Sequence, residues 1–70
     1  MLLRNERADS SRIFLMAKLS HIYKDENVII GLSYAEQGIA LAKQIEFLRG
    51  EATCLNELGN NYRRIGEYTK

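Results

Sequence analysis

The stretch from Leu55 to Tyr68, LNELGNNYRRIGEY, combines a helical apolar pattern with a glycine inside that pattern. Its large apolar residues recur every three or four positions and fall on one face of a helix: Leu55, Leu58, Tyr62 and Ile65. Gly59 lies among them, although a glycine inside a helix costs about 1 kcal/mol relative to alanine. We therefore expect Gly59 to let a neighbouring helix approach closely, and Gly66 to end the helix.

The composition narrows the class of protein. The 70 residues suffice for one small domain, residues 1–70, and the ten basic and nine acidic residues give a net charge of only +1. This balance argues against binding to nucleic acid through a basic surface. No apolar run approaches the roughly 20 residues that span a bilayer. The single cysteine, Cys54, excludes an internal disulfide and fits a reducing compartment. We expect a soluble cytoplasmic chain without a membrane partner.

Three segments have helical periodicity, and we expect an all-α fold of about three helices. The first runs from about Ser11 to Lys24, the second from Val28 to Phe47, and the third from Glu51 to Ile65. Asn27 or Asp25 is a suitable N-cap for the second helix. Gly50 and Gly66 bracket the third helix.

Small residues form a second stripe on the second helix, at intervals of four, three and four positions: Gly31, Ala35, Gly38 and Ala42. Helical geometry places all four on one side. Such a face lets another helix come close, and the added contact would offset the cost of the two glycines.

The first helix resembles the third after a shift of 39 residues. Large, small and aromatic residues then recur in the same order: Met16 matches Leu55, Leu19 matches Leu58, Ser20 matches Gly59, and Tyr23 matches Tyr62. A period in this range is typical of arrays of helical hairpins, in which each unit buries its face against the next one.

The pattern L-x-x-L-G-x-x-Y-x-x-x-G-x-Y of Leu55 to Tyr68 resembles the first half of a tetratricopeptide repeat, with leucine in place of tryptophan. The segment from Leu32 to Lys43 is similar to the second helix of such a repeat. The spacing fits the variant of roughly 40 residues, which is common in bacterial signalling proteins. The resemblance implies a first repeat over about residues 13–49 and an incomplete second repeat over 50–70. It also implies a piece of a longer array, or a chain completed by self-association.

We expect no catalytic activity in these 70 residues. His21 is the only histidine, and Cys54 has no histidine near it in sequence, so neither a nucleophile with its base nor a zinc site can be assembled. Cys54 is expected to be a buried small apolar residue. Arg63 and Arg64 are explained by the macrodipole at a helix C-terminus. We expect no catalytic, metal-binding or cofactor-binding residue.

A peptide-binding groove is what the resemblance implies for function. In the family, the first helix of each repeat lines a concave surface with its non-packing positions. Those positions here are Phe14, Ala17, His21, Lys24, Thr53, Asn56, Asn60, Arg63 and Arg64. Asparagine can bond a peptide backbone through both its donor and its acceptor, and arginine can bind a carboxylate bidentately. The alternative is that these are solvated surface residues and that binding lies in other repeats.

The sequence thus predicts a non-catalytic protein–protein interaction module that binds a protein or peptide, with acidic groups as one option. By resemblance, its setting is a scaffold or an input region of a bacterial signalling protein. Two alternatives remain open. One is a structural protein that pairs with a second copy through Leu58, Tyr62, Ile65 and the small stripe, and the other is a segment that binds an output domain of its own chain.

Overall fold

The computed structural model describes residues 6–68, and the side chains of residues 8–67. Three helices account for nearly all of this range: α1 (Glu6–Glu26), α2 (Val28–Gln44) and α3 (Leu48–Tyr68). The predicted all-α fold of about three helices is confirmed. Each helix contacts the other two, with α2 packed against both α1 and α3 in an elongated bundle of 51 × 17 × 14 Å.

One end of α2 is predictable from a local sequence signal, and the other end is not. Asn27 caps its N-terminus, because the side-chain oxygen accepts a hydrogen bond from the Ile30 amide at 3.3 Å. At the other end the helix stops at Gln44, three residues before the predicted end. Glu46 has a φ of 57°, and the amide of Phe47 donates to the Ala42 carbonyl at 2.8 Å. This is the hydrogen bonding of a Schellman motif, built here with glutamate where glycine is usual.

The predicted bounds of the other helices are too narrow. The first extends beyond Ser11–Lys24 at both ends, and α3 extends beyond Glu51–Ile65. Gly50 and Gly66 therefore lie inside α3 and do not bracket it. Gly50 is a packing position, since a β-carbon there would come within 2.8 Å of Ile13 Cγ2 and also collide with the Phe47 ring. Gly66 does not stop the helix, which continues to Tyr68.

The small stripe of α2 lies at the centre of the bundle, where all four of its residues are buried, and it allows the predicted close approach of a neighbouring helix. A β-carbon at Gly31 would overlap the Asn61 side chain on α3 and lie 3.1 Å from the Ser20 carbonyl oxygen on α1. One at Gly38 would overlap Cys54 Sγ. The stripe therefore faces α1 and α3 at once, and its lack of side chains brings the three backbones together.

Across this centre, Asn61 of α3 meets Ser20 of α1, and both residues are completely buried. Asn61 Nδ2 donates to Ser20 Oγ at 2.9 Å and lies 3.4 Å from the Ser20 carbonyl oxygen. It also donates to the Glu57 carbonyl within α3 at 2.8 Å. Two turns away, the Cys54 thiol lies 3.7 Å from the carbonyl oxygen of Ile13. Both contacts join residues 41 positions apart, which defines the register of α1 against α3.

The predicted packing positions divide between the two halves of the chain. Ser20 is buried, and Met16, Leu19, Tyr23 and Leu58 are half-buried. Gly59 is exposed, and a β-carbon there would meet no atom of the described residues within 4 Å, so its predicted role as a spacer inside this bundle is wrong. Leu55 and Tyr62 are also exposed, by 47% and 54%. The reason is the rotation of α3, which turns Cys54 and Asn61 inward in place of these residues.

The same substitution should have opposite effects at the buried Gly31 and at the exposed Gly59. Gly31→Ala should lower the free energy of unfolding by about 1–3 kcal/mol, because the new methyl group collides with a hydrogen-bonded side chain and a backbone oxygen. Gly59→Ala should raise it by about 0.5–1 kcal/mol through helix propensity. Urea unfolding at one low protein concentration measures both. Equal effects of the two variants would contradict the packing described here.

Candidate binding groove between the first and third helices

A groove lies where α1 and α3 run side by side, and charged residues join its walls. Arg64 Nη2 is 2.8 Å from Asp25 Oδ1 across the groove, and Arg64 Nη1 is 2.8 Å from Glu67 Oε1 on its own helix. One turn earlier, His21 Nδ1 is 3.3 Å from Glu57 Oε1. These pairs are partly exposed, so each stabilises the fold by roughly 1 kcal/mol at most. They fix the positions of the side chains around the groove.

One end of the groove is a shallow concavity of about 160 Å³, lined by Lys24, Asn60, Arg63, Arg64 and Glu67. Lys24 is the α1 contribution, and its ammonium lies 3.9 Å from the nearest Asp25 carboxylate oxygen and 3.3 Å from His21 Nδ1. Nδ1 of His21 can accept from Lys24 or donate to Glu57, but it cannot do both at once. The lining of the concavity thus holds three cationic side chains, one amide and one carboxylate.

The concavity unites four of the predicted groove residues, and His21 adjoins them through Lys24. Others lie farther along the same two helices. Phe14 is seven residues before His21 and packs its edge against the Phe47 ring, with centroids 5.6 Å apart. Thr53 is seven residues before Asn60, and its hydroxyl donates to the Arg49 carbonyl at 2.9 Å.

Two further groove predictions have different outcomes. Asn56 is exposed on α3, one turn before Asn60. Ala17 is only 5% exposed and packs with Ile13 in the core, so its assignment to the groove is wrong. A side chain this small cannot reach from its buried position to the groove surface.

Three acidic residues of the groove were not predicted: Asp25, Glu57 and Glu67. They balance the charges of Lys24, Arg63 and Arg64, so the groove has no strong positive field. The i, i+3 spacing of Arg64 and Glu67 was readable as a helical ion pair. The pair of Asp25 and Arg64 could not be predicted from the sequence, because it depends on how α1 and α3 are aligned.

Cys54 is free and completely buried, as predicted for a small apolar residue. Burial raises the pKa of its thiol, and the negative charge of Glu57 raises it further. A thiol of this kind is a poor nucleophile, since the thiolate is the reactive form. Within residues 6–68, no three His, Cys, Asp or Glu side chains are grouped closely enough to hold a metal ion.

No helix in the described part of the chain has the length and apolarity that a membrane crossing requires. Comparison of the chain with family models, with curated proteins and with solved structures gives no match to any of them. The tetratricopeptide resemblance therefore remains a hypothesis drawn from the sequence.

The raised pKa of Cys54 predicts a loss of stability in alkaline solution. The folded state holds the thiol proton to a higher pH than the unfolded state, whose thiol titrates near pH 8.5. The contribution is therefore fully present below about pH 8.5 and declines as the pH rises above it. Urea unfolding from pH 7 to 9.5 should show a decline that Cys54→Ala reduces. An unchanged decline in that variant would mean that other groups cause it.

Proposed function

We propose that this chain is a non-catalytic protein–protein interaction module of the tetratricopeptide type, and that it binds a peptide segment in the groove between α1 and α3. The observation that carries the proposal is the concavity lined by Lys24, Asn60, Arg63 and Arg64. It collects polar side chains with hydrogen-bond donors from two helices that are far apart in sequence. It lies on the surface that the family resemblance assigned to ligand binding.

Asn60 and Arg63 are best placed to contact the peptide. Both line the concavity, where Asn60 is half-buried and Arg63 is exposed. An amide can pair with a peptide bond through its donor and acceptor together, which recognises extended backbone without regard to sequence. Arg63 adds a bidentate donor for a carboxylate. Arg64 is the weaker candidate, because Asp25 and Glu67 already occupy its guanidinium.

The balance of charge in the groove predicts how the ligand is selected. An acidic group near Arg63 and Lys24 gains attraction, but it also meets Glu67 and Asp25 nearby. Selection for acidic peptides then depends on position along the groove, and long-range attraction contributes little. We propose a ligand with one or two acidic residues flanked by neutral ones.

The proposed setting follows from the same resemblance. It is the scaffold or input region of a bacterial signalling protein, in the reducing cytoplasm, where a free thiol such as Cys54 is stable. The module makes and breaks no bonds. It presents a rigid helical surface whose ligand is selected by shape and hydrogen bonding.

A displayed random-peptide library tests this proposal when it is selected on the intact chain. The double variant Asn60→Ala, Arg63→Ala should bind the enriched peptides at least about tenfold more weakly, because it loses an amide and a charged donor. Its unfolding transition should stay close to that of the parent, since neither side chain is in the core. Replacing an enriched acidic residue by its amide should weaken binding to the parent more than to the double variant.

The matched control is Gln37→Ala, Lys43→Ala, which removes one amide and one cation from exposed positions of α2. It should bind the same peptides as tightly as the parent does. The proposal fails if no peptide is enriched, or if both double variants lose affinity equally.

A further inference from the structure

α3 carries an uncharged apolar face on the side that points away from the bundle. Its large members, seven residues apart, are 78%, 47% and 54% exposed: Leu48, Leu55 and Tyr62. Ala52 and Gly59 are exposed between them. The stripe covers four turns of the helix, and a solvated helix face of this length is ordinarily charged. Among the three described helices, α1 and α2 both pack on the other side of α3, and neither covers this face.

The first helix shows what this kind of face accepts. The residues 39 positions before Leu55, Gly59 and Tyr62 are of matching type, and they lie against α2. Ser20, the match of Gly59, is buried near Gly31, and Met16, the match of Leu55, approaches Gly38. Since α1 and α2 are joined by the short turn at Asn27, α2 runs antiparallel to α1. The face on α3 therefore has the chemistry of one that takes an antiparallel helix.

We infer that the occupant is α3 of a second copy of this chain, packed antiparallel across a two-fold axis near Gly59. Within the described residues, a β-carbon at Gly59 would meet no atom within 4 Å, so that position is open to a close helical approach from outside. The large residues at positions 55 and 62 would then pack on each side of the crossing point. Such an interface is isologous and closes at the dimer.

The charges beside the apolar face favour the antiparallel alignment. Arg49 lies near the N-terminal end of α3 and Glu67 near its C-terminal end, and both are exposed. A parallel pair would place each of these charges beside its own copy. An antiparallel pair centred near Gly59 brings Arg49 of one helix close to the level of Glu67 of the other, and it also opposes the two helix dipoles.

The size of the face sets the strength of the dimer. From Leu48 to Tyr62 the helix rises about 21 Å, and two such faces bury on the order of 1,000 Å² in total. This is the lower end of the range for specific interfaces. An interface of this size belongs to the weak, transient class, so the dimer should form reversibly, and its surface is separate from the groove between α1 and α3.

Sedimentation velocity of the intact 70-residue chain over a wide concentration range tests the inference. The parent should pass reversibly from monomer to dimer, and Leu55→Lys should weaken the association at least about tenfold, because it places a charge in the apolar face. Leu15→Lys is the matched control, since Leu15 is an exposed leucine (54%) on the outer side of α1. It should associate like the parent.

Crosslinking tests the orientation. In a Cys54→Ala background, a mixture of Ala52→Cys and Gly66→Cys chains should form the mixed disulfide in preference to either homodimer, because those positions meet across an axis at Gly59. A parent that stays monomeric throughout, equal loss of association in Leu55→Lys and Leu15→Lys, or a dominant Ala52→Cys homodimer would each overturn the inference.

Discussion

The buried amide of Asn61 is the contact on which the arrangement of the three helices depends. Its nitrogen donates hydrogen bonds to the Ser20 hydroxyl oxygen across the bundle and to the Glu57 carbonyl oxygen within α3. Its oxygen lies against Gly31 and, in the described part of the chain, has no hydrogen-bond partner. A buried amide without its bonds costs about 1–3 kcal/mol, so a slip of α3 along α1 would be penalised at this point. The core is thin and made largely of small residues, and such a core has few large side chains with which to resist slipping.

The inward position of Asn61 also determines which face of α3 remains outside. Successive residues of a helix are about 100° apart. Turning Asn61 and Cys54 toward α2 therefore turns Leu55, Gly59 and Tyr62 toward solvent. The bundle covers the apolar stripe of α3 only in part, since Leu58 and Ile65 are half-buried while Leu55 and Tyr62 are exposed. One constraint thus produces a compact centre, a groove edged by Asn60 and Arg64, and an open apolar surface.

The features of the fold that are predictable from the sequence are those that residues close together in the sequence determine. Helical periodicity, the Asn27 cap and the regular spacing of the small stripe all act within about four residues, and the structure has each of them. The rotation of α3 was not predictable in this way, because Asn61 reads as a surface residue beside a strong apolar stripe. The end of α2 was not predictable either, because the residue in the left-handed conformation is Glu46 and not the glycine that usually marks a helix end. Most groove residues follow from the helical face, but the pair of Asp25 with Arg64 needed the register of 41 positions, which is a tertiary property.

A double-mutant cycle on Ser20→Ala and Asn61→Ala tests the central claim most directly. Each single variant removes one side of the buried contact, and chemical unfolding at low protein concentration gives the free energies for the cycle. If this contact fixes the register, the effects of the two substitutions should fall short of additivity by about 1–2 kcal/mol. Additivity within about 0.5 kcal/mol would mean that Ser20 and Asn61 contribute independently, and that the bundle is held in register by something else.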